Sequence, residues 1–166
     1  MTDRNFSEVL KMSESPTLNV SLYQVWDSFW DQKLTSFGQS EKVPDDVLLA
    51  LHSIHGSVLE RAVELFDKDC LTVFRTKGHS REVLQIIGSS GMIYTLFHKI
   101  NFCQCQSYKF QVLLYKASVT CKHVLAAALS YATGKFKVIE LSSEDLTKLL
   151  IDSFVGKNER QTSGHP

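Results

Sequence analysis

The chain has 166 residues, 43% hydrophobic and 22% charged, which is enough apolar content to fill a core and excludes wholesale disorder. Its 18 basic and 18 acidic side chains cancel to a net charge of zero, which at first sight argues against a polyanion-binding protein. Placed along the chain, the charges separate. Residues 1–69 carry 6 basic and 12 acidic groups, residues 70–139 carry 9 basic groups and the single acid Glu82, and residues 140–166 carry 3 basic and 5 acidic groups. A basic middle between acidic flanks leaves two readings open, a merely solvated face or a surface for a polyanion.

In chain order, residues 1–17 are polar and read as a flexible lead-in without an apolar run of signal-peptide length. No stretch approaches 18 apolar residues, so the expectation is an intracellular protein with reduced thiols and no membrane segment. Residues 18–69 read as helical. Leu22, Val25, Trp26, Phe29, Trp30 and Leu34 recur at steps of three and four, giving an aromatic stripe that is either core or a docking face for a partner. Val43-Pro44-Asp45-Asp46 opens a second helix with Val47, Leu48, Leu51 and Ile54 on its apolar face. Gly56 breaks it, and a short third helix runs from Ser57 to Phe66.

At residue 70 the period changes to two. The stretch from Cys70 to Arg75 reads as a strand, Arg81 to Ile87 as a second, and Met92 to Ile100 as a third that runs straight toward Cys103. These form a three-stranded antiparallel meander. Val119 to Tyr131 is strongly helical, Phe136 to Leu141 suits a short strand, and Ser142 caps a last helix carrying Leu146, Leu149, Leu150 and Phe154. Residues 156–166 read as a disordered tail. The expected organisation is thus a lead-in (1–17), a helical segment (18–69), the meander together with the cysteine-bearing segment and its helix (70–137), a C-terminal strand and helix (138–155), and a tail (156–166).

The chemistry is concentrated in two short pairs, Cys103-Gln-Cys105 and Cys121-Lys-His123, separated by fifteen residues. Two residues at i and i+2 on an extended segment point the same way, and the second pair stands where a helix begins. Such an arrangement can place three thiolates and an imidazole around one tetrahedral zinc. Four protein ligands leave no position for a reacting water, so the site reads as structural and the chain as not an enzyme. The deaminase pattern, a phosphate-binding GxxxxGK[ST] loop, GxGxxG and GxSxG are all missing from the sequence. Cys70 reads as a core thiol. His52, His55, His79 and His98 lack ligand spacing and read as surface or satisfied core groups.

The paired spacing resembles the SWIM-type zinc finger, and its continuation His123-Val-Leu-Ala126 resembles the extended motif of the SWIM proteins of the Shu complex. The similarity runs over residues 43–154. It implies an α+β fold in which N-terminal helices precede the antiparallel meander, a SWIM-type ββα zinc finger and a C-terminal helix. It also implies one structural zinc held by Cys103, Cys105, Cys121 and His123, with Ala126 as a small packing residue on the same helix face. The implied function is that of a nuclear, non-catalytic subunit forming a heterodimer with a RecA-fold recombinase paralog. The pair would support recombinase filaments on single-stranded DNA during homologous recombination repair and meiosis. With the finger in the basic middle, Lys99, Lys109, Lys116 and Lys122, interleaved with Tyr108, Phe110 and Tyr115, become candidate contacts to single-stranded DNA. Trp26, Phe29 and Trp30 are the preferred candidates for the partner surface. An alternative from another class is a SWIM-finger adaptor, for example for a ubiquitin ligase, that binds protein and no DNA.

Overall fold

The computed structural model describes residues 42–155. The aromatic stripe with Trp26, Phe29 and Trp30 lies outside the described residues. The first described helix, α1 (Asp45–His55), follows Pro44 and places Asp45 and Asp46 in its first turn, where carboxylates suit the positive helix end. Val47, Leu51 and His55, each four residues apart, face inward. Ile54, expected on that face, is instead 57% exposed, because the i, i+4 row from Leu51 leads to His55. The helix stops at Gly56, whose φ of 49° is open to glycine at little cost. The chain then enters α2 (Ser57–Phe66), which buries Leu59, Ala62, Leu65 and Phe66.

The strands β1 (Leu71–Thr76), β2 (Glu82–Ile87) and β3 (Ile93–Leu96) pair antiparallel in sequence, as the alternating pattern predicts. Val73 lies opposite Leu84, and Leu84 opposite Leu96, so one ladder of aliphatic side chains enters the core. Glu82, the single acid of the basic middle, lies opposite Arg75 and pairs with it at 3.3 Å.

The arrangement differs from the expected meander in two respects. A fourth strand, β4 (Lys137–Leu141), joins beside β1 and parallel to it, giving a mixed sheet of order β3-β2-β1-β4. The third strand also ends at Leu96 rather than at Ile100. There the chain folds back through a tight turn in which Phe97 bridges Ile100 and Lys99 takes a left-handed φ of 61°. The first ligand pair therefore sits in an irregular segment beyond that turn and not on a strand.

Helix α3 (Lys122–Thr133) is buried on nearly every side, with His123, Val124, Leu125, Ala126, Ala127, Leu129, Ser130 and Thr133 all inside. It packs on α2 and supplies the connection that returns the chain to β4. Below it, Lys135 bonds Asp69 at 3.3 Å and lies 4.5 Å from the centre of the Phe66 ring. Helix α4 (Ser143–Phe154) is capped by Ser142, whose hydroxyl accepts from the Asp145 N–H and donates to its carboxylate. It touches β1, β3 and β4, buries Leu146, and lays Phe154 against Phe97 and Phe102. Among the described residues no helix is long and apolar enough to cross a membrane.

Burial of His55 lowers its pKa from 6.5 to about 4. The folded state thus favours the neutral ring, so this contribution to stability is complete above pH 6.5 and is lost as pH falls toward 4. Between pH 7 and pH 4.5, the urea midpoint should fall further for the wild type than for His55→Gln, with metal-ligand protonation common to both. Equal falls would show that His55 carries no such load.

Candidate metal centre

Cys121 occupies the N-cap of α3 in extended conformation, and His123 follows in the first helical turn. The unsatisfied N–H groups at that helix end favour negative charge on a nearby sulfur. Cys103 and Cys105 approach from the irregular segment after β3. All four side chains are buried, and their ligand atoms lie within 4.8 Å of one another. The imidazole presents Nδ1 to the sulfurs, 3.8 Å from Cys103 Sγ. A tetrahedron built on bonds near ~2.3 Å has edges of about 3.8 Å, so the spacing fits a zinc-sized ion.

The donor chemistry points the same way. The Cys105 thiol is held well below its ordinary pKa by hydrogen bonds from Cys103 and then Cys121, against the opposing effect of burial. Cys103 is pushed well above it, first by its hydrogen bond to Cys105, then by Cys121 and burial. For Cys121 the bond with Cys103 lowers the pKa, but the bond with Cys105 and burial raise it by more, to about 12. The three thiols thus oppose one another's ionisation, and burial opposes it for each. A divalent cation is the group that would make three adjacent thiolates stable, with metal binding coupled to proton release.

The two ligand segments are stitched together by residues that the motif does not include. The Asn101 amide donates to Val119 O at 2.9 Å, and Thr120 Oγ1 donates to Asn101 Oδ1 at 2.8 Å. The Tyr108 hydroxyl donates to Asn101 O, while its backbone N–H donates to Cys105 Sγ at 3.2 Å. Asn101 and Thr120 stand two residues and one residue before the two pairs, a placement visible in the sequence only once the pairs are known to meet.

The imidazole is seated by the β2–β3 turn. Tyr94 stacks on the His123 ring, with centroids 4.1 Å apart and planes at 28°. A Cβ on Gly88 would lie 2.8 Å from Tyr94 Cε2 and 3.0 Å from His123 Nε2. Gly88 is therefore required for space. Lys122 ties the helix start to the same turn by donating to Ser89 Oγ at 3.0 Å.

The other candidate residues are more dispersed. Ala126 is fully buried in α3. Lys99 lies in the turn after β3, and Lys109 and Lys116 lie near the two ends of a π-helix (Tyr108–Leu114) that fills the interval between the ligand pairs. Residue pattern alone did not point to that helix. Cys70 is buried at the start of β1 outside the cluster, its pKa pushed up to about 11 by burial. All four cysteines are free of disulfides.

The chain is 32% identical over 133 residues to mouse zinc finger SWIM domain-containing protein 7, covering 80% of this chain and 87% of the mouse protein. The chain belongs to the zinc finger SWIM domain-containing protein 7 family. The zebrafish member is 31% identical over 130 residues, covering 78% of this chain and 92% of the relative. The human member is 30% identical over 132 residues, covering 80% and 94%. No family model matches the chain, and no solved structure matches it significantly. Membership in a family of zinc finger proteins, together with the buried Cys3His cluster, makes this a SWIM-type zinc-binding protein.

Two substitutions probe the site from outside the ligand set. Gly88→Ala should weaken metal affinity by roughly 10–100-fold, the range for positions that orient a ligand. Competition titration with a zinc chelator measures this, and unchanged affinity would refute the seating of His123 by the turn. Ala126→Leu should cost roughly 1–3 kcal/mol of stability through overpacking, read by urea unfolding of the zinc-loaded protein.

Proposed function

We propose that the chain is a non-catalytic, zinc-braced subunit that forms a heterodimer with a RecA-fold recombinase paralog. The pair promotes assembly and persistence of recombinase filaments on single-stranded DNA, in homologous recombination repair and meiosis, in the nucleus. The observation that carries this reading is the buried Cys3His cluster, in a family member, at the junction of a segment with no acid between Val83 and Ile139. One zinc, bound by all four side chains, would join the loop after β3 to the start of α3, leaving no open position for a substrate.

The charge division supports a nucleic-acid role for the pair. Glu82 is taken by Arg75, and the middle segment offers its other basic groups no second acid. Lys99, in the turn before the ligands, and Lys122, at the start of α3, are the contacts assigned to DNA. Lys109 and Lys116, candidate contacts as well, flank an apolar surface. The competing reading, a protein adaptor without DNA binding, predicts no binding of single strands even by the assembled pair.

Reconstitution with the cognate RecA-fold paralog tests the proposal. The pair should bind an oligothymidylate and slow dissociation of recombinase from it. The combined Lys99→Ala and Lys122→Ala variant should reduce the slope of log affinity against log salt by about 1.4, at ~0.7 for each single-strand phosphate no longer neutralised. X-ray absorption of the purified chain should report three sulfurs and one nitrogen around one zinc. An oxygen ligand would reopen the enzymatic reading, and failure to pair with the paralog would refute the heterodimer.

A further inference from the structure

The interval between the ligand pairs folds as a π-helix whose sides differ sharply. Tyr108 and Val112 face inward. Phe110, Leu113, Leu114 and Tyr115 face outward, with exposures of 39%, 59%, 62% and 64%. The Tyr115 N–H donates to Phe110 O at 2.8 Å, the i to i−5 bond that defines this winding. The Phe110 and Tyr115 rings consequently stack, 6.3 Å apart with planes at 26°. The Lys109 ammonium lies 5.8 Å from the Phe110 ring centre, and Lys116 follows Tyr115 with a left-handed φ of 51°. The result is four large apolar side chains within six residues, bordered by two lysines in a stretch without acids.

This surface is anchored to the metal centre. The Tyr108 N–H that opens the π-helix donates to the Cys105 sulfur, and the Tyr108 hydroxyl reaches the backbone of Asn101, which also holds Val119 and Thr120. Its outer side chains project from a fixed base.

The composition of the face selects its occupant. A nucleic acid offers phosphates for Lys109 and Lys116 and base faces for Phe110 and Tyr115, but leaves Leu113 and Leu114 with little aliphatic surface to meet. A second copy would set lysines against lysines. An acidic protein segment carrying aliphatic side chains satisfies all six residues. We propose that the outer face of the π-helix, Phe110, Leu113, Leu114 and Tyr115 between Lys109 and Lys116, docks an acidic, aliphatic-bearing segment of a partner protein. The inference rests on the heterodimer reading only for naming the RecA-fold paralog as that partner.

The test uses the full-length, zinc-loaded chain and a fluorescent helical peptide of glutamate and leucine, with its lysine–leucine counterpart as control. The acidic peptide should bind and the basic one should not. Leu113→Glu with Leu114→Glu should weaken the acidic peptide at least tenfold, with zinc content and circular dichroism unchanged, and should weaken the RecA-fold paralog similarly. Absence of acidic-peptide binding, or binding that survives the double substitution, overturns the inference. A paralog complex unaffected by the double substitution also overturns it. A wild-type chain that binds the peptide but not the paralog sustains this surface and refutes the heterodimer. Oligothymidylate displacing the peptide, with Phe110→Ala and Tyr115→Ala weakening DNA more than peptide, assigns the face to nucleic acid and overturns the inference.

Discussion

Three buried sulfurs crowded against one imidazole are an arrangement that the polypeptide does not favour unaided. Hydrogen bonds among Cys103, Cys105 and Cys121 pull the Cys105 thiol below its ordinary pKa, while Cys103 and Cys121 are pushed above theirs. A divalent cation held by Cys103, Cys105, Cys121 and His123 would turn that competition into attraction, and its binding energy would count as folding energy, because the four side chains come from two separate segments. The consequences extend outward from this point. The loop after β3 is drawn to the head of α3, and α3 in turn fills the space beside α2.

The surrounding structure reads as support for that junction. Asn101 and Thr120 hold the two ligand segments together by side-chain hydrogen bonds of the protein itself. The β2–β3 turn forms a seat for His123, with Tyr94 against its ring and Gly88 leaving room for both. Ligand orientation by such neighbours is a general requirement of metal sites. Here it explains why a sheet precedes the finger: the hairpin presents the seat. The same base carries the π-helix, whose first N–H is bonded to a ligand sulfur.

Much of the local structure was legible in the chain. The helices at 45–55, 57–66 and 143–154 follow from apolar spacing and capping groups, and β1 to β3 follow from alternation. The ligand pairs were legible because coordination chemistry needs particular side chains at short intervals. Three features were not. The third strand stops at Leu96 although apolar residues continue, because the chain turns at Lys99 to bring the ligand segment around. The inward place on α1 belongs to His55 rather than Ile54, since the row from Leu51 decides which residue meets the core. The π-helix is defined by its hydrogen-bond offset, to which residue pattern is nearly blind.

By itself, then, the sequence determined the α-helices and strands, though not the π-helix, together with the donor set for a tetrahedral metal and the separation of acidic from basic segments, because each depends on neighbours a few residues apart. The tertiary structure alone decided that β4 lies parallel beside β1, that Gly88 must lack a side chain beside His123, and that Phe110, Leu113, Leu114 and Tyr115 remain outside while Tyr108 and Val112 go in. Those outcomes depend on which distant segments share the same space, and close packing leaves that space only one use.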